Sequence, residues 1–243
     1  MLMRALHAEK IKLRRTPVWL AFVLLPVLPA VIGTFNYLAN LGLLKSDWES
    51  LWTQHTLFFC YFFLPALLGV YCAYLWRLEH LDHNWNRVMT VPMPVWSLCL
   101  SKFLVALGLL AGTVLWQGVL FILGGLLAGI RVPIPWLQVM DWLACGFLGG
   151  AAVLSLQLFL SLFIRSFAVP VAIALAGGIG GLMATTQGWG LFFPYALLSL
   201  GMRANNPNRV LEYPAFFVSC AAFTLLFLVL SVMFIRRRDV KSE

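Results

Sequence analysis

Charged residues are scarce in this sequence, and the few present avoid its longest segments. Only 11% of the 243 residues are Asp, Glu, Lys or Arg, whereas 62% are hydrophobic. Soluble globular domains carry about 25% charged residues. The composition therefore excludes an ordinary soluble domain, and no stretch between the apolar runs is long enough to form a separate one.

Short catalytic motifs are also missing. The sequence contains no HExxH, GxSxG or Walker A pattern, the signatures of zinc proteases, many hydrolases and P-loop nucleotide-binding proteins. The centres of the apolar runs carry no charge, whereas a proton- or sodium-coupled pump would need a buried carboxylate there. We therefore expect no catalytic residue, no bound metal and no nucleotide site in this chain.

Six long apolar runs dominate what is present. A bilayer core about 30 Å thick needs roughly 20 apolar residues in each helix that crosses it. The sequence thus predicts an all-α, polytopic membrane protein with six transmembrane helices in a single domain, residues 1–243. The predicted spans are Leu20–Phe35, Thr56–Trp76, Phe103–Ile130, Trp142–Ile164, Phe167–Thr185 and Ala215–Ile235.

The basic residues predict the orientation of these spans. If the N-terminus is cytoplasmic, 13 Lys and Arg residues lie in inside segments and only 4, at positions 45, 131, 203 and 209, in outside segments. This asymmetry follows the positive-inside rule and predicts that both termini are cytoplasmic. The net charge of +8 then reflects orientation and attraction to anionic lipid, so we expect no nucleic-acid partner.

Three segments between the spans carry their own patterns. Residues 1–16 predict an amphipathic interface helix, with Leu2, Leu6 and Leu13 on one face and basic residues on another. Residues 77–98 predict a short polar cytoplasmic helix that ends before Pro92. Residues 187–213 predict an outer segment whose apolar part, too short to span, is either re-entrant or lies on the surface. Trp48 and Trp52, in the first outer loop, are expected to be interfacial anchors.

Polar and small residues inside the spans have two explanations each. Gln117 and Gln157 are the polar residues deepest in their spans, and they either join helices through hydrogen bonds or line a substrate path. Small-xxx-small glycine pairs predict close helix packing, mainly within one bundle. These pairs are 108/112, 125/129, 146/150 and 177/181. His80 and His83 share a helical face, but two histidines alone do not make a metal site.

Two motifs carry a resemblance to a known family. A basic stretch from Glu9 to Pro17 leads directly into the first span, and Glu79, Asn84-Trp85-Asn86-Arg87, Pro92 and Lys102 lie between the second and third spans. This pattern resembles the permease subunit of a type-2 ABC exporter. It is most similar to the branch linked to lantibiotic immunity and bacitracin resistance. The six-span layout covers the whole chain, and the motifs cover about residues 9–17 and 79–102.

The resemblance implies an antibiotic-export permease of the bacterial cytoplasmic membrane that is not itself an enzyme. Two copies of an ABC ATPase would bind ATP and Mg²⁺, two permease chains, identical or related, would pair in the lipid, and this chain would need no cofactor. By the same resemblance, ATPase contact falls on Glu9, Lys10, Arg14 and Arg15 in the first segment and on Glu79, Asp82, Trp85 and Arg87 in the second.

Three classes of function therefore compete. The first is an ATP-driven export permease for an amphiphilic cargo, such as a peptide antibiotic, a lipid-like compound or a hydrophobic drug. The second is a membrane-embedded lipid-modifying enzyme, for which residues 79–83 are the one candidate site. The third is a non-catalytic membrane assembly factor. An ATPase reading frame next to the gene for this chain would favour the first class decisively.

Overall fold

The computed structural model describes residues 1–14, 16–81, 85, 90 and 93–237, and these are helical except at turns and connections. The helices are α1 (Leu2–Leu13), α2 (Val18–Ala39), α3 (Trp48–Phe58), α4 (Leu64–His80), α5 (Val95–Leu127), α6 (Trp136–Phe163), α7 (Ala168–Thr186), α8 (Pro194–Gly201) and α9 (Tyr213–Arg237). A π-helical turn, Phe59–Phe63, joins α3 to α4, and a 3₁₀ turn, Gly190–Phe192, precedes α8.

Six helices in the described part of the chain are long and apolar enough to cross a membrane, which confirms the predicted number. They are α2, the continuous unit from α3 to α4, α5, α6, α7 and α9. Each helix extends beyond its apolar run at one end or both. The second span begins at Trp48 instead of Thr56, because Asp47 caps it by accepting a hydrogen bond from the Ser50 N–H at 2.8 Å.

The prediction that Trp48 and Trp52 are interfacial anchors is wrong. Both indoles lie inside the bundle, 2% and 0% exposed. Trp48 donates to the Val132 carbonyl at 2.8 Å. Trp52 stacks on Trp142, with ring centroids 4.8 Å apart. These tryptophans therefore hold helices together instead of contacting lipid headgroups.

The π-helical turn has a local cause in Pro65. Proline has no N–H and its ring clashes with the carbonyl four residues earlier, here that of Tyr61. The ladder of hydrogen bonds shifts at this point, and the Tyr61 carbonyl faces α7 at Gly178. A side chain at position 178 would collide with that carbonyl, so glycine permits α7 to cover the irregular turn.

The short helix α8 is buried on all sides. Every residue from Pro194 to Gly201 is buried, and the helix packs between α6 and α7. Gly149 of α6 lies against the backbone of Leu197, and Gly181 of α7 lies against the backbone of Ala196. A helix lying on the protein surface does not fit this burial, whereas a segment that folds back among the spans does.

A polar network fixes the chain after α8. Arg203, 5% exposed, forms an ion pair with Asp141 of α6, with 2.8 Å between Nη2 and Oδ2. Nη1 donates to the Gly201 carbonyl at 2.7 Å and Nη2 to the Tyr213 hydroxyl at 3.0 Å. Arg203 also has a positive φ of 46°, an uncommon conformation for a non-glycine residue that the surrounding contacts hold in place.

The bundle has a buried centre and a more exposed periphery. In the most apolar windows of α5, α6 and the α3–α4 unit, 61–67% of residues are buried, against 28% for α2 and α7 and 17% for α9. The exposed faces of the three peripheral helices are apolar. Helices that are hydrophobic all round suit a lipid environment.

The close approach of α6 and α8 gives a prediction about stability. We expect Gly149→Ala to destabilise the protein by ~1–3 kcal/mol, because a β-carbon there would overlap the Leu197 backbone. Gly108→Ala, with nothing within 4 Å of the added carbon, is the matched control and should be neutral or slightly stabilising. Thermal unfolding in detergent measures both. Equal effects would contradict this packing.

Candidate functional site

Helix α1 attaches to the bundle through one face. Its buried residues are Ala5, Glu9 and Leu13, spaced four residues apart, which places them on one side of the helix. That side packs against α5. A carboxylate thus lies in the middle of an otherwise apolar contact, and it needs a partner of opposite charge because burying an unpaired charge is costly.

The partners form a cluster of four charges, here called the ion cluster: Glu9, Lys12, Glu79 and Lys102. Lys12 Nζ lies 2.6 Å from Glu9 Oε1 and 2.6 Å from Glu79 Oε1. Lys102 Nζ lies 3.0 Å from Glu9 Oε2 and 2.8 Å from Glu79 Oε1. Two ammonium groups balance two carboxylates, so the ion cluster is electrically neutral and joins α1, α4 and α5.

Lys102 is the most buried member of the ion cluster. Its side chain is 0% exposed, whereas that of Lys12 is 29% exposed. Besides its two carboxylates, Lys102 Nζ donates to the Leu75 carbonyl at 2.6 Å and lies 4.6 Å from the centre of the Trp76 ring. These contacts use the three donors of the ammonium group and add a cation–π contact.

Lys12 stays protonated in this environment. Burial lowers the pKa of Lys12, but the carboxylates of Glu9 and Glu79 oppose it more strongly, and the net pKa is raised above the ordinary 10.5. Since the folded-state pKa is raised, this interaction is fully present at neutral pH and is lost only as the pH rises through the raised value. The contribution of Lys12 to the attachment of α1 is therefore constant across the physiological pH range.

An aromatic wall lies beside the ion cluster. Trp85 stacks on Trp76, with ring centroids 5.7 Å apart and planes inclined by 20°. The Trp85 indole N–H donates to His80 Nδ1 at 3.2 Å, and His80 Nε2 lies 2.9 Å from the Ser161 carbonyl. His80 therefore carries its proton on Nε2 and donates it to Ser161. Both ring nitrogens are occupied, which leaves neither available as a metal ligand.

The structure separates the residues to which the resemblance assigns ATPase contact. Lys10 on α1 and Arg14 directly after it are exposed, and Trp85 is half-buried. Glu9 and Glu79, 2% and 1% exposed, lie inside the chain instead of on a surface that a partner could touch. Arg15, Asp82 and Arg87 lie outside the described residues.

Sequence reasoning missed the two lysines as site residues. Lys12 and Lys102 are part of the two motifs, but sequence reasoning treats them only as basic residues near the membrane. A signal was available for Lys102, since it lies seven residues inside an uninterrupted apolar helix that starts at Val95. A lysine at such a position requires a buried acid, and Glu79 at the end of the preceding span is an acid near enough in the chain.

Gln117 belongs to a chain of hydrogen bonds across three helices. Its amide nitrogen lies 3.4 Å from His55 Nδ1, and His55 Nε2 lies 2.9 Å from the Thr34 hydroxyl. Thr34 donates its own proton to the Ala30 carbonyl at 2.8 Å, so it accepts from His55, which in turn accepts from Gln117. The chain links α2, α3 and α5, and sequence reasoning did not single out His55.

Gln157 makes a similar contact with α8. It donates to the Tyr195 hydroxyl at 2.5 Å. Gln117 and Gln157 are both 0% exposed, and within the described residues neither amide oxygen has a hydrogen-bond partner. A cargo would reach either side chain only after the helices move apart. In the described part of the chain, no three His, Cys, Asp or Glu residues are grouped to hold a metal ion.

Comparison with known proteins gives one match. Residues 5–181 match the model of a family described as ABC-2 family transporter protein. The match covers most of the chain, from α1 through almost all of α7, and it includes all four members of the ion cluster. No curated protein and no solved structure matches the chain.

The ion cluster gives a prediction about stability. We expect Lys102→Met to destabilise the protein by ~3–5 kcal/mol, because it leaves two buried carboxylates with one lysine. Adding Glu79→Gln restores charge balance and should recover part of the loss. The control is Lys10→Met, an exposed lysine on α1, which should change little. Unfolding in detergent measures all three variants. A Lys102→Met effect as small as that of Lys10→Met would show that the ion cluster contributes no stability.

Proposed function

Because the chain belongs to the ABC-2 transporter family, we propose that it is the membrane-spanning permease subunit of an ATP-driven exporter. A separate ATPase subunit, in two copies, binds ATP and Mg²⁺ and supplies the energy. Two permease chains, identical or related, form the pathway. The family match, the six membrane-spanning helices and the N-terminal helix packed at one end of the bundle all support this proposal.

The proposed cargo is amphiphilic, and the proposed branch is the one linked to lantibiotic immunity and bacitracin resistance. The apolar surfaces of the spans and the absence of charge from their centres suit a molecule that partitions into the membrane interface. A peptide antibiotic, a lipid-like compound or a hydrophobic drug meets this description. The proposed location is the bacterial cytoplasmic membrane, with both termini inside.

The exposed face of α1 is the proposed docking surface for the ATPase. Arg4 and Lys10 are exposed there, together with Met3 and Ile11, which are 78% and 51% exposed, and the exposed Arg14 follows the end of the helix. Apolar side chains surrounded by basic ones suit a partner surface that is apolar at its centre and acidic around it. The buried face of the same helix holds Glu9 in the ion cluster.

One observation carries the proposal: α1 has an exposed basic side and a side that is ion-paired into the spans. A force on Lys10 reaches Glu9 and Lys12 within the same helix. From there it passes through ion pairs of 2.6–3.0 Å to Glu79 of α4 and Lys102 of α5. A rigid junction of this kind transmits motion from a cytoplasmic partner into two spans at once.

The docking surface can be tested by reversing one charge. We expect Lys10→Glu to reduce co-purification of the ATPase several-fold, because it replaces attraction to an acidic partner surface with repulsion. Lys45→Glu makes the same change at an exposed site between α2 and α3 and should leave binding unaltered. Equal binding by both variants and the parent would remove α1 from the interface.

The same preparations distinguish docking of the ATPase from transmission of motion into the spans. Glu79→Gln alters a buried group, so the ATPase should still bind, while transport, measured as resistance of cells to the exported antibiotic, should fall. Glu49→Gln is the matched control, because Glu49 accepts a hydrogen bond from Gln138 at 3.2 Å, away from the ion cluster. Unchanged transport in Glu79→Gln would contradict a transmitting role for the ion cluster.

A further inference from the structure

Helix α9 leaves open space along its contact with the bundle. A cavity of 630 Å³ lies between α5, α6 and α9, and a second of 400 Å³ lies between α5 and α9. The two are called the α9 groove here. Leu107, Phe147 and Cys220 are among the residues that line the first cavity, and Trp96, Val229 and Arg236 are among those of the second.

The α9 groove follows nearly the whole membrane-crossing length of α9. Its lining begins at Phe217 and ends at Arg236, a distance of ~28 Å at the rise of an α-helix. A bilayer's hydrocarbon core is about 30 Å thick. The described lining side chains are apolar except for Thr224, Cys99, Cys220 and Arg236, so the two cavities present a hydrocarbon-like surface along the helix.

One end of the α9 groove is charged. In the described part of the chain, Arg236 is the one charged side chain that lines either cavity, and it is exposed. Among the described residues it forms no ion pair. The planar guanidinium binds phosphate oxygens in a bidentate fashion. Trp96 faces the same cavity from α5 and is 46% exposed, and tryptophan is typical of the headgroup level of a bilayer.

We propose that the α9 groove is a binding site for an anionic glycerophospholipid. The lipid phosphate contacts Arg236, and one acyl chain lies between α5 and α9 towards Cys220. The proposal needs only that the chain resides in a bilayer, and it stands whether or not the chain works as an export permease.

The dimensions favour a lipid chain over a helix of a second protein. A transmembrane helix is a cylinder about 10 Å across, which fills ~2,000 Å³ over the length of a span. The two cavities, at 630 and 400 Å³, are too small to hold such a helix between α9 and the rest of the bundle. A flexible hydrocarbon chain fits cavities of this size, and the Arg236 guanidinium at one end can bind a phosphate.

The headgroup contact can be tested with two neighbouring arginines. The probe is phosphatidylglycerol, titrated into purified protein and counted as bound molecules by native mass spectrometry. We expect Arg236→Gln to weaken retention about fivefold, the effect of losing one basic residue near a lipid surface. Arg237→Gln removes the same charge from the next position, which lines neither cavity, and should retain the lipid. An equal loss of phosphatidylglycerol in both variants would show that only the general surface charge matters, and it would overturn the site.

The acyl-chain contact can be tested with two neighbouring alanines. Ala221 lines the larger cavity, so Ala221→Trp should fill it and lower phosphatidylglycerol retention. Ala222→Trp, an exposed position that does not line it, is the control for the folding and surface effects of an added indole. Retention that is unchanged in Ala221→Trp would overturn the placement of the chain.

Two further outcomes would also overturn the proposal. Displacement of phosphatidylglycerol by glycerol phosphate at similar concentration would show that a free phosphate group suffices, without a hydrocarbon chain. Conversion of a dimer to a monomer by Ala221→Trp, but not by Ala222→Trp, would identify the groove as a contact between two permease chains. The lipid site is supported if the parent, Arg237→Gln and Ala222→Trp retain phosphatidylglycerol while Arg236→Gln and Ala221→Trp retain less of it.

Discussion

The buried ion cluster is the constraint on which the arrangement of this end of the molecule depends. Lys102 is 0% exposed, and an ammonium group at such a position is tolerated only if acids surround it. Glu79 at the end of α4 supplies one acid, and Glu9 supplies the other only if α1 lies against α5. The position of α1 is therefore set by the electrostatic need of a lysine in a span, with the apolar contacts of Ala5 and Leu13 adding to it.

The ion pairs of this cluster hold three helices in a fixed arrangement and still allow those helices to move together. Removing one partner from a buried cluster is costly, whereas moving the whole cluster as a unit breaks no pair. The cluster joins one helix that has an exposed basic face to two helices that cross the bilayer. In the proposed exporter, this is where the action of the ATPase would enter the membrane.

Close backbone packing fixes the other part of the bundle, where α6, α7 and α8 meet. Glycines of α6 and α7 receive the short buried helix α8, and glycine at position 178 lets α7 cover the irregular turn at Pro65. The ion pair of Arg203 with Asp141 then fixes the chain that follows α8. Without strong hydrophobic attraction between helices in lipid, such small-residue contacts and polar links determine how spans pack.

Sequence reasoning predicted the six spans because their signal is local: twenty or so consecutive apolar residues define a membrane helix by themselves. It did not predict which polar residues meet, since Glu9 and Lys102 are far apart in the chain and their contact depends on how α1 folds back. The same limit explains the error at Trp48 and Trp52. A tryptophan near the end of a span suits a lipid interface, and only the tertiary packing of α3 against Phe121 and Trp142 places them inside.

The most direct test of the central claim measures whether α1 is rigidly joined to the spans. Spin labels at positions 10 and 77, exposed on α1 and α4, report the distance between the two helices in lipid nanodiscs, and the five native cysteines are buried, which favours labelling at the introduced sites. The account predicts one narrow distance distribution in the parent chain and a clearly broader one in Lys102→Met. A parent distribution as broad as that of the variant would contradict it.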